Sequence, residues 1–196
     1  MRAAGGKTWD GRFYLTVLLL CFFVGAFGGF LLATIGTFGG ELRGYLSDYF
    51  ALAAGGRLSI SFFSVLWDVF RWPLAAAAFS LTPLGVGAIP ALLMIRGFLL
   101  SYAAACFGAL MGVEGAAVAA AVFGVTALFA VPALLVIACE SFRSAFLRVS
   151  GACPLPECKP RPAVLLPGAG VLVIAAALQW TVSPALMSAV CARFFS

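Results

Sequence analysis

Long apolar runs separated by short polar breaks dominate this 196-residue chain. A run of about 20 residues without a charge is long enough, as a helix, to cross a hydrocarbon layer about 30 Å thick. The pattern predicts spans over residues 13–38, 72–95, 97–113, 115–138 and 163–190. The expected fold is therefore an all-α integral membrane protein, a single membrane domain built as a bundle of about five transmembrane helices. The first run follows Arg2, Lys7 and Arg12 but is too long for the apolar core of a secretory signal and lacks a small-residue cleavage site, so it reads as a retained span.

Between residues 41 and 71 the pattern changes. Charges enter, and apolar positions take up helical spacing: Leu42, Tyr45, Leu46, Tyr49 and Phe50, then, after Gly55 and Gly56, Phe62, Phe63, Leu66, Val69 and Phe70. Ser61, Ser64, Asp68 and Arg71 form a polar stripe opposite the second set. This segment reads as two short amphipathic helices lying in the interface rather than as a span. Pro73, Pro83 and Pro90 predict a kinked second span. In the first span, Gly25 with Gly29 and Gly36 with Gly40 stand four apart, a spacing that lets another helix approach closely in lipid and makes a homo-oligomer conceivable.

The third segment, ending before Glu114, is short enough to be re-entrant. The positive-inside rule decides against that. Five full spans with the N-terminus cytoplasmic place Arg2, Lys7, Arg12, Arg96, Arg143, Arg148, Lys159 and Arg161 inside, in part on a 140–162 loop, and Arg43, Arg57, Arg71 and Arg193 outside. The expected arrangement is a plasma-membrane protein with its N-terminus in, its C-terminus out and the 41–71 segment extracytoplasmic.

Composition agrees: 64% of residues are apolar, 10% are charged and the mean hydropathy is +1.12, far from the roughly 25% charged residues of soluble domains. The formal charge of +5 is scattered over segment ends instead of gathered on one face, so nucleic acid is not an expected partner. Membrane lipid is. Histidine is absent, which removes Ser-His-Asp and Cys-His nucleophiles and most zinc sites. Lys7 and Lys159 lie in hydrophilic flanks, away from any Ser-Lys dyad. Cys153 and Cys158 lack further ligands nearby, and no cofactor, metal or catalytic residue is expected.

Arg96, Glu114, Glu140 and Asp68 all fall at predicted segment ends, where headgroup-level anchoring is the simplest role. A pairing of Arg96 with Glu140 is one alternative. Gln179 is the only strongly polar residue well inside an apolar run, suited to an interhelical hydrogen bond or a small polar cavity.

Several short motifs occur in order: Pro90-Ala-Leu-Leu-Met-Ile-Arg96-Gly97-Phe98-Leu-Leu between two predicted spans, Ala130-Val-Pro132-Ala-Leu-Leu in an alanine-rich span, Ser141-Phe142-Arg143 opening a basic loop, and Ser183-Pro184-Ala-Leu near the end. Together they resemble the stage II sporulation protein M family over roughly residues 60–190. Gln179 departs from the resemblance, standing where many members have a carboxylate. The resemblance implies a non-enzymatic membrane scaffold that localises peptidoglycan hydrolases, resembling stage II sporulation proteins D and P, for septal wall remodelling during engulfment. Tyr45, Tyr49, Trp67 and Asp68 are then the candidate partner contacts. A small transporter or channel of unknown substrate is the alternative.

Overall fold

A computed structural model of the chain describes residues 11–35, 61–120, 124–151 and 160–194. Five helices account for them: α1 (Gly11–Ile35), α2 (Phe62–Phe79), α3 (Gly85–Ala119), α4 (Val125–Val149) and α5 (Pro162–Phe194). No strand occurs among the described residues. All five are long and apolar enough to cross a membrane, and the shortest, α2, has 18 residues, or about 27 Å at 1.5 Å per residue.

The number of spans matches the sequence reading, but four boundaries move. Residues 62–71 are not a separate short helix; they form the first half of α2, which continues through the buried Pro73 to Phe79. The expected second span, 72–95, is broken at Ser80–Leu84, where the preceding helix closes with the Ser80 N–H donating to the Ala76 carbonyl and the Ser80 hydroxyl to that of Ala77. Pro83 follows, and a proline restrains the residue before it away from helical geometry. Arg148 Nη1 donates to the Leu81 carbonyl at 2.9 Å, tying this turn to the end of α4. Conversely, the expected break at Arg96-Gly97-Phe98 does not exist, because α3 runs straight through it. The helix is interrupted instead at Gly112, whose φ of 64° and ψ of −139° suit a residue without a Cβ. Finally, α4 extends to Val149, so Glu140, Ser141 and Arg143 are helical and the expected loop over 140–162 shrinks to the residues between α4 and α5.

The charges at Asp68, Arg71 and Arg96 caused the first and third of these shifts. A count of charge along the chain treats an arginine as a segment end, yet a helix interior tolerates one when the bundle shields it.

Helix α4 is the hub. Half of the residues in its spanning window are buried, against 17–28% in the other four. One core cluster joins Leu18 of α1, Ala76 of α2, Ile89 and Leu93 of α3, and Leu134, Ala138 and Phe142 of α4; Tyr14 closes it with an edge contact to Phe142 and a tilted one to Phe146, at 5.7 and 5.8 Å between ring centres. The second joins Val65 and Val69 of α2, Ala133 and Ile137 of α4, and Leu172 and Ala176 of α5. Small residues at Ala133, Ser141 and Ala145 let neighbouring backbones approach α4, which is how helices gain packing energy where lipid is as apolar as leucine.

The closest helix pair is α1 with α3, and it runs parallel. A Cβ placed on Gly25 would fall on the Met94 carbonyl, one on Gly29 on the Phe98 carbonyl, and one on Gly97 on the Phe22 carbonyl. The glycine spacing in α1 therefore serves a contact within the chain. The Gly36–Gly40 pair lies outside the described residues.

Candidate functional site

Four helices each send one polar side chain toward a common cavity of about 120 Å³: Asp68 from α2, Arg96 from α3, Thr126 from α4 and Gln179 from α5. Leu99, Leu100, Ala103, Ala127 and Ala130 complete its wall. Arg96 lies about 16 Å along the axis from Gly85, close to the middle of a bilayer-length helix. It is not at a segment end, and neither is Asp68; both expectations are corrected by the new helix boundaries.

Within the cavity the charges are unevenly matched. Asp68 Oδ1 pairs with Arg71 Nη2 at 2.6 Å, one turn along α2. Arg96 has no ion pair among the described residues. Its guanidinium lies 5.4 Å from the centre of the Trp72 ring, and the Arg71 guanidinium lies 5.3 Å from the same ring. Such stacking is worth about 0.5–2 kcal/mol and does not neutralise the charge. Two buried polar atoms nearby have no hydrogen-bond partner: Thr126 Oγ1, in a residue only 8% exposed, and Trp72 Nε1. Leaving such a group unsatisfied costs about 1–3 kcal/mol.

Glu140 lies elsewhere. Its Oε1 accepts from Arg143 Nη2 at 3.2 Å and from the Arg161 backbone N–H at 3.2 Å, pinning the end of α4 to the start of α5. The Arg96–Glu140 pairing is therefore not formed.

The remaining sequence candidates separate. Gly97 and the Phe98 backbone belong to the α1–α3 contact. Phe98 also stacks on Tyr102 at 5.8 Å. Pro90 sits partly buried in α3, and Pro132 faces outward from α4. Ser183 and Pro184 fall within the last part of α5. Tyr45 and Tyr49 lie outside the described residues. Trp67 is 60% exposed and, with Phe63, Leu66 and Phe70 of α2 and Val173 of α5, frames an outward apolar groove of about 140 Å³.

Sequence reasoning flagged Asp68, Arg96 and Gln179 one at a time but did not assemble them, and it missed Thr126. A threonine in an alanine-rich run carries no signal of its own; only its place in the lining it shares with Arg96 gives it meaning.

These features define a multi-pass α-helical membrane protein with a polar cavity inside its bundle. No family model, curated protein or solved structure matches the chain.

Proposed function

We propose that this protein is a non-enzymatic membrane scaffold that holds peptidoglycan hydrolases by their membrane anchors during septal wall remodelling. The observation that carries this reading is the outward groove at Phe63, Leu66, Trp67, Phe70 and Val173. In a bilayer its occupant must be apolar, and a partner's transmembrane helix supplies ridges of the size such a groove accepts. The resemblance to the stage II sporulation protein M family names the class of partner. In this reading Trp67 contacts the partner through an outward apolar surface, where the sequence reading had expected a wall-side one.

Orientation follows from charge. If successive helices alternate across the membrane, Arg12, Arg143, Arg148 and Arg161 lie toward the side where α1 begins and Arg193 toward the other, which supports reading the N-terminus as cytoplasmic in the plasma membrane.

The test is a photo-crosslinking amino acid at Trp67 in native membranes, with one at Leu84 as an outward-facing control on the α2–α3 turn. Selective capture of a wall hydrolase at Trp67 is the expected result. Equal capture at both positions, or capture of lipid alone at Trp67, overturns the reading. The cavity among four helices favours a second reading, a small transporter, for which substrate-dependent flux in proteoliposomes is the measurement.

A further inference from the structure

We infer that the cavity between α2, α3, α4 and α5 is a binding site for a small monovalent anion of chloride, nitrate or short carboxylate type. The inference does not rest on the scaffold reading, because it concerns a different face of the molecule.

Charge gives the sign of the ligand. Asp68 pairs with Arg71 at 2.6 Å and also attracts Arg96, which lines the same cavity, so one carboxylate serves two guanidinium groups and the three together carry a net charge of +1. A lone arginine at a helix centre costs about 2.5–3.5 kcal/mol on insertion scales. Besides Asp68, which Arg71 already engages, the other polar groups at this cavity can donate hydrogen bonds. The Thr126 residue is more than nine-tenths buried, its hydroxyl has no hydrogen-bond partner, and both Thr126 and Gln179 line the cavity. A guanidinium, a hydroxyl and an amide N–H facing one space are complementary to an anion.

Size and valence follow. The cavity of about 120 Å³ admits a halide or nitrate with one or two waters, since a water takes up about 30 Å³. A net charge of one matches a monovalent ion, whereas a phosphate dianion would bring an unmatched negative charge into a low-dielectric site. Asp68 does not oppose the ligand strongly, because its carboxylate is already held by Arg71.

The experiment measures thermal unfolding of the full chain in zwitterionic nanodiscs while gluconate is exchanged for nitrate or chloride at constant ionic strength. The expected result is a saturable rise in midpoint with nitrate and chloride, absent with gluconate, which is too large to enter. Thr126→Val, which keeps the shape and removes the hydroxyl, should raise the half-saturating concentration at least fivefold, and Gln179→Leu should do the same. Arg96→Gln should abolish the response; if that variant does not fold, the two milder variants carry the test. A repeat in discs containing phosphatidylglycerol distinguishes the source of the anion, since a constant high midpoint insensitive to nitrate would assign the site to a lipid headgroup and overturn a free ion. An unsaturable response, or one equal in wild type and Thr126→Val, would mean that the cavity merely holds water bridging Asp68 and Arg96, and the inference fails.

Discussion

Gly25, Gly29 and Gly97 are where a single methyl group matters most in this protein. Each brings its own backbone against a carbonyl of the facing helix, so a larger residue must push α1 and α3 apart along their whole contact. Gly25→Val and Gly97→Val are each expected to destabilise the bundle by about 1–3 kcal/mol, the usual cost of overpacking, and more where the helices cannot separate. Gly87→Ala and Gly170→Ala, whose new Cβ atoms would meet nothing within 4 Å, should leave stability within about 0.5 kcal/mol. Unfolding in detergent with a mild denaturant compares the four. The spacing of Gly25 and Gly29 permitted a close approach but did not by itself require one. That the approaching surface was Met94 to Phe98 of the same chain was not announced, because spacing fixes a face and says nothing of its partner.

Among the elements, α4 shows how a helix end is fixed. Glu140 Oε1 accepts both from Arg143 one turn on and from the Arg161 N–H that opens α5, so one carboxylate caps a junction between two spans. Glu140 and Arg143 are both less than a third exposed. Glu140→Ala strands the Arg143 charge and orphans the Arg161 N–H, with an expected loss of about 1–3 kcal/mol. Glu140→Gln keeps an acceptor for that N–H and should lose less. Reversal of the order, with Gln costing as much as Ala, would show that charge alone governs the junction. The sequence placed Glu140 and Arg143 in a loop because two charges within four residues end an apolar run. A neighbouring helix start made them worth keeping helical.

For the whole molecule, the decisive question is where the chain turns between its second and third spans. The structure turns it at Ser80–Leu84 and carries Arg96-Gly97-Phe98 within the continuous helix α3. In a background lacking other reactive cysteines, Leu81→Cys should therefore react with a membrane-impermeant maleimide from the same side as the N-terminus. Phe98→Cys should react from neither side. Labelling of position 98 with protection of position 81 would restore the turn expected from hydropathy. Five spans survive either choice, which is why the fold class was legible while the borders were not.

What the sequence determined by itself was the solvent and the class of fold: with 64% apolar residues and repeated runs of bilayer length, every backbone hydrogen bond must be made internally, and helices are the form that achieves this. The tertiary structure decided which polar residues face one another. Asp68, Arg96, Thr126 and Gln179 are scattered over more than a hundred positions, and only the packing of α2 to α5 around the small residues of α4 brings them to one cavity. Hydrophobicity along a chain sets how deep each residue sits, but helix rotation and neighbour choice are set by contacts between side chains distant in sequence, and there the site is made.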